Sequence, residues 1–340
     1  MKRLSLILLY ALFFYSCHDN EEPRFTEIRI PETPVNMGDI NSVYDDYNSN
    51  IPWGGITFPL CFSSNRYSKG KEFDFVYKLM GVYWSFSKGV LSVHENTSSN
   101  LDVYSSNYNI MRALEVVNTS YDELGPCLIP KGMIYHVPDQ YSRYESYIFL
   151  YSNNSEGSQD IKFIENLSSP SYSEPQPVSF LNSPKDDAYP CLTKDTSTVY
   201  FCSNRGGDFD IYKAPLNPNM DLIKNFKSNT SAAVQKETVL SAVGDDKCPY
   251  ILNDLMVFTS NRAGGYGGFD LYYSVFEDGK WSEPVNLGDK INTPYDEYRP
   301  IMMPFEGDPF SDFMIFSSNR PGGKGGFDLY YVAIKRPRGY

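Results

Sequence analysis

The sequence has few histidines and lacks the motifs that are typical of zinc sites and of serine hydrolases. Only three histidines occur, His18, His94 and His136, and none of the six cysteines forms a Cys-x-x-Cys pair. Such pairs are typical of zinc sites, so zinc is not indicated. The sequence also lacks a Gly-x-Ser-x-Gly motif, which excludes the nucleophile elbow of an α/β-hydrolase, and a Ser-x-Asp-x-Gly-x-x-Trp box.

Clustered positive charge is missing as well. The 340 residues carry a formal net charge of −12 at pH 7. Because binding to phosphates requires a basic surface, a nucleic-acid partner is not expected. Aromatic residues are plentiful, at 16% of the chain, and 28 of them are tyrosines. This composition suits strands with one packed and one hydrated face.

Long apolar runs are confined to the N-terminus. Residues 4–15 follow Lys2 and Arg3 and are too few to span a bilayer, but they suit the core of a signal peptide. The run ends at Ser16-Cys17, which resembles a bacterial lipoprotein processing site, and the acidic stretch after it resembles the surface-export signal of Bacteroidetes lipoproteins. These resemblances imply a signal peptide (1–16), a tether (17–24) lipidated at Cys17, and one domain (25–340). They place the protein at the outer membrane, facing the cell surface or, alternatively, the periplasm.

A Ser-Asn-Arg segment followed by a glycine-rich loop and a Phe-Asp segment recurs along the chain. The copies span residues 201–212, 258–272 and 316–330, with a looser copy at 62–77. The pattern predicts a β-hairpin in which the arginine and the aspartate pair across the two strands. A glycine-rich phosphate cradle is not favoured, because it needs a helix after the loop and a β-rich stretch follows. The recurring polar residues are Asn204, Arg205, Asp210, Asn261, Arg262, Asp270, Asn319, Arg320 and Asp328.

An acidic pair precedes each blade-like unit, and the first acid lies four residues before a proline. The pairs are Asp122-Glu123, Asp186-Asp187, Asp245-Asp246 and Asp296-Glu297, with Asp45-Asp46 as a looser copy. Ring symmetry would gather these turns on one face near the axis, where the acids would bind a cation such as Ca²⁺ or a basic segment of a partner. Alternatively, the acids accept hydrogen bonds from backbone N–H groups in each turn.

The repeated elements predict an all-β fold made of four-stranded units, that is, a single β-propeller. Six blades are favoured and five are the alternative. The sixth would lie between residues 84 and 118, with 90–96 as its second strand and 101–104 as its third. The last unit lacks a fourth strand, and residues 26–30 are predicted to supply it and so close the ring. No segment shows sustained helical periodicity.

The segments FTSNRAGGYGGFDLYYS and WSEPVNLGDKINTPYDEYRPIMM resemble the PD40, or WD40-like, repeats of TolB-type propellers. The resemblance implies an envelope protein that binds a protein or a ligand through one propeller face. We therefore expect a non-catalytic lipoprotein, not an enzyme, that serves as a scaffold or accessory subunit of an outer-membrane complex. Its partners would be envelope or outer-membrane proteins, and its lipid would be its only membrane contact. No cofactor is expected, with Ca²⁺ as the alternative. The alternatives are a surface protein that binds glycan or peptide, and a propeller glycosidase.

Overall fold

Alternating apolar residues on both sides of each Ser-Asn-Arg segment form antiparallel strands, which assemble into five small sheets. The computed structural model describes residues 29–51, 57–85, 89–97, 106–135, 143–168, 171–228, 233–305 and 310–336. Cys17, His18 and His136 lie outside these ranges. Each sheet is one blade, whose inner strand begins at the second acid of an acidic pair.

The blades follow one another along the chain. The first contains β2 (Asp46–Asn50), β3 (Thr57–Ser64), β4 (Asp74–Ser85) and β5 (Val90–Glu95). The second contains β6 (Glu123–Tyr135), β7 (Arg143–Asn153), β8 (Asp160–Ser168), β9 (Ser171–Tyr172) and β10 (Gln176–Pro177). The third contains β11 (Asp187–Leu192), β12 (Thr198–Ser203), β13 (Asp210–Pro215) and β14 (Gln235–Lys236). The fourth contains β15 (Asp246–Leu252), β16 (Leu255–Ser260), β17 (Asp270–Glu277), β18 (Lys280–Trp281) and β19 (Val285–Asn286). The fifth contains β20 (Glu297–Met303), β21 (Ser311–Ser318), β22 (Asp328–Lys335) and, from the start of the chain, β1 (Val35–Asn36).

The N-terminal segment completes the fifth blade, as predicted. In β1, Val35 lies opposite Tyr331 of β22, and the backbone N–H of Ala333 donates to the carbonyl of Pro31 at 2.8 Å. The closing strand is Val35–Asn36 and not residues 26–30. Of the latter, only 29 and 30 fall within the described ranges, and neither is in a strand.

The described residues form five blades, so the preference for six was wrong. The strand that was assigned to a sixth blade is β5, which pairs directly with β4 and is therefore the outer strand of the first blade. Because β4 is 12 residues long, it extends past the hairpin motif far enough to take β5 as its neighbour. Residues 101–104, proposed as another strand, lie outside the described residues.

The connection from the first to the second blade contains a helix, α1 (Ser106–Val117), which the sequence analysis missed. Ile110, Ala113, Leu114 and Val117 are buried, and their spacing is that of one helical face. The helix packs on β4 and β7. A shorter helix, α2 (Leu222–Phe226), lies between β13 and β14. Among the described residues, no helix is long and apolar enough to cross a membrane.

The hydrophobic core lies between neighbouring blades, where the faces of two sheets meet. Phe62 and Val76 of the first blade share one cluster with Ile315 and Tyr331 of the fifth. Met37, just after β1, is buried in the same cluster. Burial of these side chains therefore stabilises the junction at which the ring is closed without a peptide bond.

Every inner strand carries a β-bulge after its acid, where the pairing with the second strand shifts register. The residue two positions after the acid has a φ between 48° and 62° in all five blades. These bulge residues are Asn48, Gly125, Tyr189, Cys248 and Arg299. Only one is glycine, so packing around the axis must hold the other four in a conformation that costs energy.

Candidate functional site

The first acid of each pair joins two neighbouring blades. Its carboxylate accepts a hydrogen bond of 2.8–3.0 Å from the backbone N–H just before the third strand of the preceding blade. The pairs are Asp122 with Phe73, Asp186 with Gln159, Asp245 with Phe209, Asp296 with Phe269, and Asp45 with Phe327. The last of these crosses the point of ring closure. We call this set the inter-blade latches, and the end of the propeller that carries them the latch face.

The second acid of each pair is buried within its own blade. Asp46, Asp187, Asp246 and Glu297 have no exposed surface. Each forms an ion pair of 2.6–2.9 Å with the arginine of its hairpin: Arg66, Arg205, Arg262 and Arg320 respectively. The predicted bridge between arginine and aspartate across the hairpin is therefore wrong, because the inner strand supplies the arginine's partner.

The aspartates of the returning strand have other partners. Asp270 and Asp328 each accept hydrogen bonds from two backbone N–H groups of the glycine-rich loop before them. Asp210, which follows a shorter loop, pairs with Lys236 at 2.6 Å. Asp270 and Asp328 therefore hold their glycine-rich loops in place, whereas Asp210 is joined to the outer strand of its blade.

The acidic pairs thus face the protein and not a common central site. Among the described residues, no group of three or more histidine, cysteine, aspartate or glutamate side chains is placed to hold a metal ion. Each acid has partners of the kind that stabilise turns and strand ends. His94 is exposed and lies 2.7 Å from Asp39.

The second blade departs from the pattern. Its acid, Glu123, is fully buried, but Ser155 stands where the other hairpins have arginine. The carboxylate accepts hydrogen bonds from the hydroxyl of Thr119 at 2.6 Å and from the side-chain amide of Asn153 at 2.6 Å. Burial without a cationic partner raises the pKa of Glu123 to about 7.

The opposite end of the propeller, which we call the turn face, carries the turns that join the first to the second strand and the third to the fourth strand of each blade. A cleft of about 600 Å³ opens there between the third and fourth blades. Its walls come from the β11–β12 turn, the β15–β16 turn and the β17–β18 hairpin. The lining residues are Thr193, Lys194, Asp195, Ser197, Thr198, Tyr200, Ile251, Asn253, Asp254, Phe276 and Trp281.

Two exposed carboxylates line this cleft from facing turns of neighbouring blades: Asp195 of the third and Asp254 of the fourth. The two turns are joined at their edge by Lys194, whose ammonium group donates to the side-chain oxygen of Asn253 at 3.2 Å. The hydroxyl of Thr193 (2.6 Å) and the backbone N–H of Ser197 (3.1 Å) both donate to Asp195. These hydrogen bonds, the hydroxyl's first, hold the pKa of Asp195 below its ordinary value.

Aromatic side chains form the floor of the cleft. The indole N–H of Trp281 donates to the hydroxyl of Tyr200 at 3.1 Å, which ties the two blades together below the surface. Phe276 packs edge-on against Trp281 with ring centroids 5.1 Å apart. Because Phe276 is 36% exposed, one apolar ring is available to a ligand.

A second cavity of about 400 Å³ lies on the same face between the fourth and fifth blades. It shares Asn253 and Asp254 with the first. At its far side, Asp312 binds Arg336 through both carboxylate oxygens. The β15–β16 turn is therefore a ridge with a cavity on each side.

Sequence reasoning did not identify the cleft, because its residues lie in turns with ordinary turn composition. The available signal was Trp281, which was recognised only as part of a repeated strand. The five cysteines within the described ranges are free thiols.

No family model matches the chain. The curated proteins also provide no match. Among solved structures, a thermostable family-43 glycoside hydrolase is 10% identical, with a TM-score of 0.51, and the match covers 90% of this chain and 95% of that one. The catalytic domain of the Coprinopsis cinerea GH62 alpha-L-arabinofuranosidase is 10% identical, with a TM-score of 0.48, covering 92% and 97%. A putative TolB from Agrobacterium tumefaciens is 12% identical, with a TM-score of 0.35, covering 65% and 93%.

At this identity the likeness to the family-43 enzyme shows a shared β-propeller fold. Membership of the TolB-type family is not confirmed. The expectation of a non-catalytic scaffold that is not an enzyme is contradicted, because a propeller that matches over 90% of this chain is a glycoside hydrolase. Of the alternatives raised from the sequence, the finding favours the propeller glycosidase.

Proposed function

We propose that this protein is a glycoside hydrolase and that its substrate binds in the cleft between the third and fourth blades. The observation that carries the proposal is the pair of exposed carboxylates, Asp195 and Asp254, on facing turns beside an exposed aromatic ring. Hydrolysis of a glycosidic bond generally uses two carboxyl groups on either side of the bond. The propeller fold shared with a glycoside hydrolase supports the same conclusion.

The two carboxylates receive different roles from their surroundings. Hydrogen bonds to Asp195 stabilise its ionised form, which suits the base or nucleophile and not the proton donor. Asp254, across the cleft, is then assigned to protonate the leaving oxygen. The hydroxyls of Thr193, Ser197 and Thr198 line the same space and are suited to hydrogen bonding with sugar hydroxyls.

The aromatic floor suits a sugar ring, which has one apolar face. Phe276 offers its exposed ring for stacking, and the buried Trp281 behind it fixes its position. The cleft volume of about 600 Å³ falls within the usual range for a site that binds a small molecule.

The test is release of reducing ends by the full-length protein from a panel of aryl glycosides and cell-wall polysaccharides. We expect Asp195→Asn and Asp254→Asn each to lower kcat by about 10²-fold or more, the usual contribution of a general acid or base. Asp278→Asn is the matched control, because Asp278 is an exposed acid on the β17–β18 turn outside the cleft lining.

Activity that survives in both cleft variants would place catalysis elsewhere. Glycan binding without product release from any substrate would refute hydrolysis and leave a binding function. A Phe276→Ala variant separates substrate binding from catalysis in the cleft, since it is expected to raise KM more than it lowers kcat.

A further inference from the structure

Arg299 differs from the hairpin arginines of this propeller. Each of those four has a carboxylate within 2.9 Å. Arg299 is only 1% exposed, yet no ion pair joins it to an acid of the described residues. Its Nη2 donates to the carbonyl of Pro126 at 3.1 Å, whereas its Nε and Nη1 have no hydrogen-bond partner among those residues.

The position of Arg299 places this charge on the propeller axis. It is the bulge residue of the fifth blade, but its guanidinium group contacts Pro126 of the second blade and lies 5.6 Å from the ring of Tyr189 in the third. A side chain that meets the second and third blades from the fifth must cross the centre of the ring.

A second unpaired polar side chain occupies the equivalent bulge of the neighbouring first blade. Asn48 has no exposed surface, and both its amide nitrogen and its amide oxygen lack partners among the described residues. The hydroxyl of the adjacent Ser49 is also buried and unpaired there. Buried polar groups without partners therefore occupy equivalent bulge positions in two neighbouring blades.

Within the described part of the chain, no carboxylate is paired with the guanidinium of Arg299. The ionisable groups near Arg299 are thiols and phenols, among them Cys127, Cys191, Cys248 and Tyr250. Burial raises the pKa of Cys127 to about 12 and that of Cys248 well above its ordinary value, so both stay neutral. A buried guanidinium without a counter-charge is strongly unfavourable.

We propose that the propeller axis binds one small monovalent anion of the halide class, held by the free Nε and Nη1 donors of Arg299 and by the side-chain amide of Asn48. The ligand must be small because the two side chains are almost fully enclosed. The rings of Tyr47, Tyr189 and Tyr298 pack together with centroids 6.2 and 6.4 Å apart. The guanidinium of Arg299 lies 5.6 Å from the ring centroid of Tyr189, so this cluster of phenols borders the site. The anion would connect Arg299 of the fifth blade to Asn48 of the first blade.

The test is thermal and urea unfolding of the full-length protein at constant ionic strength, with gluconate replaced stepwise by chloride or bromide. We expect saturable stabilisation, with the unfolding equilibrium constant lowered about tenfold when the halide reaches ten times its dissociation constant. Arg299→Met is expected to abolish this dependence. Arg262→Met, which removes a hairpin arginine, is expected to lower stability but to keep the dependence.

Anomalous diffraction from a bromide-soaked crystal of the wild-type protein gives a readout that needs no variant. A bromide peak beside Arg299 supports the proposal. Equal stability in gluconate and chloride, together with ordered water and no bromide at Arg299, would overturn it.

Discussion

The buried Glu123 offers a quantitative test of how much stability a blade loses when its buried acid has no arginine partner. In the other four blades the equivalent acid is neutralised by an arginine, but in the second blade Ser155 stands at the position of that arginine. The pKa of Glu123 is raised from 4.5 to about 7. Because the folded pKa lies above the unfolded value, the folded state binds this proton more tightly. The contribution of Glu123 to stability is therefore fully present below pH 4.5 and is lost as the pH rises through 7.

The expected size follows from the difference between the pKa values of 4.5 and about 7. At about 1.4 kcal/mol per unit, the ionised group costs up to about 3 kcal/mol above pH 7. Glu123→Gln removes this ionisation while keeping the shape of the side chain. We therefore expect the free energy of unfolding of the variant, relative to wild type, to increase by up to about 3 kcal/mol between pH 4.5 and pH 8.

Urea unfolding of both proteins across this pH range provides the measurement, and other titrating groups cancel in the difference. Asp246→Asn is the matched control: it leaves Arg262 without its counter-charge and should destabilise the protein by about 3–5 kcal/mol at pH 8. A difference between Glu123→Gln and wild type that does not change with pH would refute the argument, since it would mean that Glu123 is not forced to give up its charge.

Two further predictions concern the joints between blades. The side-chain amide of Asn41 hydrogen-bonds both the N–H and the carbonyl of Leu329 across the ring closure, as that of Asn292 does with Leu271 between the fourth and fifth blades. We expect Asn41→Ala to lower the free energy of unfolding by about 2–4 kcal/mol and to lower Tm more than Asn292→Ala does. Equal losses of Tm would show that the ring closure is no weaker than the other joints. A Cβ on Gly267 would lie 2.0 Å from a backbone oxygen of the next blade, so Gly267→Ala should lose about 1–3 kcal/mol in urea unfolding, whereas Gly206→Ala should change little.

The repeated motif was sufficient to predict the propeller, the hairpins and the completion of the last blade by the N-terminus. These features depend on local alternation and on glycine-rich loops, which can be read without knowing what packs against them. The blade count failed because the first blade has a long third strand, β4, and a helix in place of a regular connection. Length per repeat was therefore a poor guide in this part of the chain.

The partners of the polar residues were harder to predict. Arg205 meets Asp187 because the inner strand lies beside the hairpin, whereas the sequence suggested Asp210 within the same hairpin motif. The cleft was missed for a related reason. Lys194 and Asn253 are 59 residues apart, and only the apposition of two blades brings their turns together.

The inter-blade latches have a consequence for how this protein can vary. On the latch face every hairpin is tied to the next blade, so an insertion there would disturb two sheets at once. The turns of the turn face do not take part in the inter-blade latches, since each of them joins strands of a single blade. New specificities can therefore arise on that side by changes in turn length and composition, while the opposite rim stays fixed and keeps the assembly closed.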